Sequence, residues 1–555
     1  MTEDTVTTQQ ASARQPEAGT QARPWLALVA LLLGVSLIVL EGSIVNVLIP
    51  TIVQDLGIDR TSVLWVTSIY SLVFAALLIT FGVLSDRIGR KRMFMIGTAI
   101  FIAFNLLAGA AQSGDMLILA RAGEAVGGAM MLPTSMAIIN VNFRGPMRAA
   151  AFGLWGAVFG GMAAFGPLLG GWLADVASWR WAFYINVPLG LISLVMVKFI
   201  IVESKGSDKK RLDIGGVFMS SIGLGLVVFA LIEGQALGWW TLITSWDLGP
   251  ISLQPGALSP VPVTLAIGAL LLALFVVSQS RRAKAGKSVL MDLSLFRIPR
   301  YGYGNIVATL VSLGEFGVLF ALPLWLQSVQ SFSPLQTGAL LAILGIGAVL
   351  AGGAARHVSA ALGSTRVVRL GMVLEILGIV GVILTISVDR SAWWMAIPLF
   401  IYGVGLGFDS AQLTNVILTD VPPERSGGAS SVTSTLRQVG STLGSAMLGT
   451  VLFVSLGLAL SNDLAVNQPQ LSEEQRTQIV DQVVDSSGEA IVPLEQQPGM
   501  ADVATEAKQS YTRAVQIMAG VAGGAMVIAL IASFGLPADR RREDEDESAP
   551  EPART

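Results

Sequence analysis

Five ionisable side chains lie near the middles of four long apolar runs of the sequence, where charge is rare. They are Glu41, Arg121, Glu124, Glu315 and Asp409. A carboxylate near the middle of a bilayer costs about 3 kcal/mol by insertion scales, so such a group must face protein or water rather than lipid. Burial favours the neutral form of a carboxyl group. A buried acid can therefore take up a proton on one side of a membrane and release it on the other.

The acids differ in how easily a neighbouring base could neutralise them. Glu41 is the first candidate for proton coupling and Glu315 the second, because neither has a basic residue in its own apolar run, and Asp409 follows closely. Arg121 has two interpretations: a structural counter-ion for a nearby glutamate, or a direct member of the coupling path. Arg437 could likewise pair with Asp409 and serve helix packing only.

The composition places the chain in a membrane. Of its 555 residues 53% are hydrophobic and 13% charged, and the mean hydropathy is +0.67. The chain has no cysteine and one histidine, His357, which excludes thiol chemistry and a metal site built from Cys or several His. Its charges are segregated in loops, so no nucleic-acid partner is expected. The sequence has no phosphate-binding loop or nucleophile–base pair, so we expect neither an enzyme nor a cofactor, and no pump that itself hydrolyses ATP.

Fourteen apolar segments are long enough to cross a bilayer, which takes about 20 helical residues. The predicted spans are 26–50, 62–84, 93–113, 116–139, 149–173, 180–202, 212–233, 262–280, 303–329, 335–355, 366–387, 393–418, 427–458 and 512–536. An even number puts both termini on one side. Most of the 35 Lys and Arg residues lie in segments that share that side. By the positive-inside rule, both termini are therefore cytoplasmic.

The loop after span 2 has more features than positive charge alone requires. It carries Gly82, Asp86, Arg87, Gly89 and Arg90. The glycines allow a tight turn, and the charged groups can bond to helix ends across the inner face. A partial echo without the aspartate follows at Gly352–Gly363, after span 10. The repetition of one loop type indicates two related halves.

Glycine and proline recur near the middle of span 5. The residues are Gly166, Pro167, Gly170 and Gly171. Such residues permit bending and close packing between helices, so this span suits a gating role or ordinary small-residue packing.

These motifs resemble those of the major facilitator superfamily. Leu40–Pro50, Trp179–Pro188 and Thr435–Gly440 resemble its fourteen-helix drug:proton antiporter subfamily, with Glu41 where the usual pattern has Asp and Glu124 where it has Gln. The resemblance implies an all-α polytopic membrane protein with the major facilitator fold. Such a fold would contain two six-helix halves and two inserted helices.

The implied domains follow from this fold. They are a disordered cytoplasmic tail at 1–24, an N-terminal six-helix half at 25–203, the two inserted helices with their outer loop at 204–281, a cytoplasmic amphipathic linker at 282–302, a C-terminal six-helix half at 303–536 with an outer hairpin at 462–511, and a second disordered tail at 537–555. The linker pattern favours a helix on the inner leaflet. For the hairpin, a solvated role and a binding role remain open.

In the resembling family, spans 1, 4, 9 and 12 would line one central cavity, so the resemblance implies that the five charged residues share a chamber. Further cavity residues expected there are Ser43, Asn46, Phe316, Trp325, Tyr402, Phe408 and Gln438. Glu375 in span 11 does not fit this picture, because span 11 should be peripheral.

The expected function is multidrug efflux. A monomer in the cell inner membrane would export amphipathic, cationic small molecules in exchange for protons, by alternating access. Asp86 and Arg90 would help to close the inner gate. Alternatives are export of an endogenous lipid, glycolipid or peptide metabolite, and a non-transporting membrane sensor on the same scaffold. Sodium in place of protons also remains open.

Overall fold

The computed structural model describes residues 23–58, 60–205, 213–243, 245–248, 251–422 and 425–537. The predicted tails 1–24 and 537–555 lie almost entirely outside the described residues. Within the described part, long helices make up nearly the whole chain.

Sixteen helices and one small hairpin are present in the described ranges. The helices are α1 Pro24–Leu56, α2 Arg60–Ile88, α3 Arg90–Gly109, α4 Gly114–Asn142, α5 Gly145–Val176, α6 Trp181–Ile200, α7 Ile214–Leu237, α8 Pro260–Lys284, α9 Pro299–Ser328, α10 Pro334–Leu362, α11 Ser364–Thr385, α12 Ala392–Leu418, α13 Ser426–Asn467, α14 Glu473–Asp485, α15 Ile491–Gln496 and α16 Ala501–Ser533. The strands β1 Trp246–Leu248 and β2 Ile251–Leu253 pair antiparallel between α7 and α8.

The fourteen predicted spans correspond to α1–α13 and α16. Thirteen of these helices are long and apolar enough to cross a membrane in the part of the chain that was searched. The remaining one, α5, has 32 residues and lies where span 5 is predicted. Helices are expected here because a chain in lipid must satisfy its backbone groups internally. The all-α polytopic fold is therefore confirmed.

Local signals fix several helix ends. The side chain of Ser113 accepts a hydrogen bond from Met116 N at the start of α4. Ser333 and Gln336 form a capping box at the start of α10. Between α2 and α3 the chain reverses at Gly89, whose φ of 123° suits glycine alone. The glycine in the predicted loop motif is therefore required by the turn.

The two halves pack through α5 and α2. Helix α5 contacts α10 and α12, while α2 and α4 contact α13. Glycines make the α5 crossing close: a methyl group on Gly156 would lie 2.6 Å from Ala411 N, and one on Gly153 would lie 2.9 Å from Gly352 O. The inserted helices α7 and α8 pack against each other, and α7 also lies against α2 and α13.

One end of the bundle, here called the tail face, joins the two halves by polar contacts. It carries residues 86–92, 143–148, 201–205, 285–298, 419–422 and 425 together with the last described residue, Pro537, whose carbonyl accepts from Thr365. Arg148 of α5 donates to Asn415 and Thr419 of the C-terminal half, each at 3.1 Å. The halves are therefore tied together at this face.

The linker 282–302 differs from the expected surface helix. Its first residues end α8 and its last residues begin α9, and between these helices it contains only a short 3-10 helix, Leu293–Arg297. The Gln279 side chain accepts from Leu290 N at 2.7 Å and donates to Asp213 at 2.7 Å. These bonds hold the linker to the ends of α7 and α8, and Leu290 is buried in protein rather than facing lipid.

The outer hairpin 462–511 is mostly helical. Helix α13 continues to Asn467 and α16 begins at Ala501, so both are longer than their predicted spans. Between them, Ser472 and Gln475 form the predicted capping box at the start of α14.

Candidate functional site

The N-terminal half contains a buried cluster of three charged side chains. Arg121 on α4 donates from Nη1 to Glu41 on α1 at 2.7 Å and to Glu124 on its own helix at 3.0 Å. Both carboxylates are 0% exposed and the guanidinium is 2% exposed. The structure thus contains both pairings that the sequence left open for Arg121.

Further polar groups hold this cluster in place. Asn186 on α6 donates to Glu41 Oε2 at 2.6 Å and to Asn105 on α3 at 2.7 Å. Arg121 Nε donates to Val66 O at 3.3 Å, and its guanidinium lies 4.6 Å from the centre of the Tyr70 ring. Sequence reasoning quoted the motif that contains Asn186 but gave this residue no role. The side chain bridges three helices around the carboxylate.

The N-terminal cluster has more acid than base. Its two carboxylates face one guanidinium, and Glu124 Oε1 has no hydrogen-bond partner among the described residues. Burial of an uncompensated charge is strongly unfavourable. With both glutamates ionised, the cluster would therefore hold one negative charge in excess of its positive charge.

A second acidic cluster lies in the C-terminal half. Carboxylate oxygens of Glu315 on α9, Glu375 on α11 and Asp409 on α12 lie within 4.8 Å of one another. All three residues are buried. Glu375 therefore belongs with the two acids that the sequence predicted, although its span was expected to be peripheral.

Close helix packing explains this correction. Helices α11 and α12 have some of the most extensive contacts in the molecule. A methyl group on Gly405 of α12 would lie 2.7 Å from Glu375 Cγ, and one on Gly371 of α11 would lie 2.9 Å from Asp409 N. These glycines let the two helices approach closely enough for Glu375 to reach the cluster.

Arg437 on α13 supplies positive charge to the second cluster without a close ion pair. Its charge acts on Glu315, Glu375 and Asp409. Neither carboxylate oxygen of Asp409 has a hydrogen-bond partner among the described residues, and neither does Nη1 of Arg437. The pairing expected for Arg437 and Asp409 is therefore not formed in this structure.

The acids thus form two clusters, one in each half, rather than the single chamber that the resemblance implied. The hydrogen bonds described for Glu41 go to α4 and α6 of its own half. Glu315 and Asp409 instead meet Glu375. The physical reason is the packing of each acid against neighbours within its own half.

Two aromatic residues expected at a cavity wall serve packing. Trp325 is fully buried and donates from Nε1 to Thr512 on α16 at 2.9 Å. Phe408 packs in a small apolar cluster with Ala351 and Val367. Tyr402 is different, because its buried hydroxyl has no hydrogen-bond partner among the described residues.

The other predicted cavity residues contribute little polar surface that the structure describes. The Ser43 hydroxyl donates to Val39 O and Leu40 O of its own helix. Gln438 is half-buried, and its backbone carbonyl accepts from the side chains of Ser441 and Thr442. The side chains of Asn46, Phe316 and Pro167 lie outside the described residues.

The predicted gating loop connects the two halves. Arg90 donates to Asp86 at 2.7 and 2.9 Å, and the other carboxylate oxygen of Asp86 accepts from Gly428 N of α13 at 3.0 Å. Arg87 donates to Ser288 of the linker at 2.6 Å. Gly82 packs directly against Ser431 of α13.

The other glycine motifs occupy different positions. Gly170 of α5 lies against Ile44 of α1, Gly166 of α5 lies against Ser43, and Gly171 is buried. In the echo of the loop motif, Arg356 and His357 are exposed at the end of α10.

Comparison with known proteins places this geometry in a family. The family model described as Major Facilitator Superfamily matches residues 31–445. The chain is 31% identical over 439 residues to the puromycin resistance protein pur8 of Streptomyces alboniger, covering 78% of this chain and 82% of that protein. It is 30% identical over 468 residues to the multidrug resistance protein Stp of Mycobacterium tuberculosis, with 83% and 82% covered.

One relative matches nearly end to end. The tetracenomycin C resistance and export protein of Streptomyces glaucescens is 29% identical over 548 residues, which covers 97% of this chain and 96% of that protein. Among solved structures, the human organic anion transporter MFSD10 (TETRAN) aligns with a TM-score of 0.58 and 13% identity, covering 92% of this chain and 100% of that chain. At that identity the likeness shows the fold alone.

Proposed function

Because the chain belongs to the Major Facilitator Superfamily, we propose that it exports amphipathic, cationic small molecules in exchange for protons. Relatives whose names record multidrug resistance, puromycin resistance and tetracenomycin C export support a small-molecule cargo. The strong basic bias of the tail-face loops supports cytoplasmic termini, in the inner membrane of the cell. The protein works as a monomer in the bilayer.

One observation carries the proton coupling: Arg121 contacts two fully buried carboxylates at once. With both acids ionised, the cluster holds one negative charge that the protein does not balance. Either a proton or the cationic group of a cargo molecule can balance it, and binding of one removes the attraction for the other. This competition is the exchange step that antiport requires.

Access to the site is controlled by contacts at the tail face. Asp86 accepts from Gly428 N, and Arg148 bonds to Asn415 and Thr419, and these bonds join the two halves on this side. Cargo loading from the cytoplasm requires these bonds to break while the halves rock apart. Cargo binding favours closure of this side, and a proton that enters from the opposite side then displaces the cargo and favours reopening toward the cytoplasm, where the proton is released.

The test uses purified full-length protein in proteoliposomes with ethidium as the cationic probe. A pH gradient drives ethidium transport, and nigericin, which collapses that gradient, abolishes it. Glu41→Gln removes the gradient-driven component. Glu233→Gln is the matched control, because Glu233 is also a buried glutamate but lies on the inserted helix α7.

Three results would overturn the proposal. Ethidium transport that persists after collapse of the pH gradient would remove proton coupling. Normal gradient-driven transport by the Glu41→Gln protein would remove the N-terminal cluster from it. A requirement for sodium at fixed pH would make sodium the coupling ion.

A further inference from the structure

The C-terminal acid cluster has a charge imbalance of its own, separate from that of the N-terminal cluster. Glu315, Glu375 and Asp409 bring three carboxyl groups together, and one guanidinium, that of Arg437, acts on them. Fully ionised, this group would carry two uncompensated negative charges inside the membrane. Such an arrangement is too costly to persist, so positive charge must bind there.

Unsatisfied polar atoms show where that positive charge would bind. Neither carboxylate oxygen of Glu375 or Asp409 has a hydrogen-bond partner among the described residues, nor has Oε1 of Glu315. The Tyr402 hydroxyl is equally unpartnered, its side chain is 1% exposed, and it interacts electrostatically with Glu375 and Glu315. A buried hydroxyl facing the acids can donate to an ionised carboxylate or accept from a protonated one.

We propose that Glu315, Glu375 and Asp409 form a second proton-binding site, in which the three carboxyl groups share protons and the Tyr402 hydroxyl completes the hydrogen bonding. Glu375 is a proton-binding residue of this site. A protonated carboxyl becomes a hydrogen-bond donor, so one bound proton both removes a charge and satisfies an orphaned oxygen on a neighbouring acid.

Protons suit the site better than a metal ion. Without water, Ca²⁺ would reach its six to eight oxygen ligands here only if at least two of the three carboxyl groups bound bidentately alongside the hydroxyl. The positive charge of Arg437 also faces the cluster and opposes a divalent ion. A proton needs no such coordination shell. Once one proton is bound, the two remaining carboxylates still face the positive charge of Arg437.

Each helix around Glu375 places its charged and titratable side chains at known positions. Glu315 faces it from α9, Asp409 and Tyr402 from α12, and Arg437 from α13. On α10, Arg356 and His357 lie in the last two turns, and the titratable residues of α16 lie in its first four turns. These groups are at helix ends, whereas Glu375 is near the middle of α11.

The site can be tested without any transport. Protons taken up by purified full-length protein, when the pH is lowered from 9 to 6, are counted with an indicator dye in weak buffer. Glu375→Gln is expected to bind fewer protons than the parent, by on the order of one per chain, while Glu375→Asp keeps the uptake. Glu233→Gln is the control for loss of an unrelated buried acid.

Proton uptake by Glu375→Gln equal to that of the parent would overturn the proposal. So would a metal ion at the site, which would appear as release of these protons on addition of Na⁺ or Mn²⁺ to the parent and not to Glu375→Gln. Should Glu375→Gln fail to fold, Glu315→Gln and Asp409→Asn provide the same readout.

The role of these protons in antiport depends on the proposed function, and a separate measurement addresses it. The number of protons moved per ethidium, found by opposing the pH gradient with a membrane potential, should be lower in Glu375→Gln than in the parent. An unchanged ratio with reduced proton uptake would leave the site intact but separate it from transport. Absence of ethidium transport in the parent would refute the proposed function without affecting the uptake result.

Discussion

Replacement of Arg121 by methionine isolates the charge balance of the N-terminal cluster. The substitution removes the guanidinium that contacts Glu41 and Glu124 but keeps a long apolar side chain in its place. Removal of one partner from a buried ion pair typically costs about 3–5 kcal/mol, because it leaves an uncompensated buried charge. Here two carboxylates lose their only described ion-pair partner, so the free energy of unfolding should fall by an amount in that range at high pH.

The loss of stability in Arg121→Met should depend on pH. Protons can replace the missing guanidinium by neutralising the two glutamates, so the destabilisation of Arg121→Met should be smaller at pH 5 than at pH 9. The measurement is the free energy of unfolding in mixed micelles at both pH values. Arg180→Met is the matched control, because the Arg180–Asp55 pair is partly exposed and such pairs contribute about 0–1 kcal/mol.

Two results would refute this reasoning. A loss of stability in Arg121→Met no larger than that in Arg180→Met would show that the buried pair does not balance charge. An equal loss at pH 5 and pH 9 would show that protons do not substitute for the guanidinium.

Three further predictions concern the gate, the contact between the halves and a partly exposed ion pair. Asp86→Asn should weaken the hydrogen bond from the Gly428 amide, so hydrogen exchange around that residue should become faster. Unchanged exchange would contradict a gating role for this bond. Gly156→Ala forces a methyl group to within 2.6 Å of a backbone nitrogen and should lower stability by about 1–3 kcal/mol in unfolding experiments, whereas Gly42→Ala, with nothing within 4 Å, should not. Hydrogen bonds from an arginine and a tryptophan hold the pKa of Asp55 below its usual 3.8. Its contribution to stability is therefore present above that value and lost as the pH falls through the lowered pKa, and Asp55→Asn should flatten this acid limb of the thermal unfolding profile.

Much of the fold could be predicted because the relevant signals are local. A span is recognised by its own composition, and the capping box at Ser472 needs only two residues three positions apart. The pair of Arg121 and Glu124 is similarly local, since residues three apart share a helix face. A capping side chain marks the start of α4, α7, α8, α10 and α14. Helices α13 and α16 run beyond the bilayer-length segments that hydropathy detects.

The second acid cluster could not be predicted from local signals. Glu375 reaches Glu315 and Asp409 only because glycines on α11 and α12 bring these two helices together. The available signal was the position of Gly371 four residues before Glu375, together with Gly405 four residues before Asp409. In each pair the glycine lies one helical turn from a buried acid. Which two helices pack together, however, depends on the tertiary structure.

Asn186 and Trp325 illustrate two other limits. The amide of Asn186 holds Glu41 across helices, and nothing in its own neighbourhood indicates that partner. Trp325 is predicted to line a cavity, yet its indole donates a hydrogen bond to Thr512 and packs between helices. An aromatic side chain in a span has the same sequence pattern in both roles.

Release of protons on cargo binding tests the central claim most directly. Ethidium is added to detergent-solubilised parent protein in weak buffer, and an indicator dye reports protons leaving the protein while fluorescence reports ethidium binding. Competition for the buried acids predicts release on the order of one proton per ethidium bound, with less release from Glu41→Gln. Saturable ethidium binding to the parent with no proton release would contradict it.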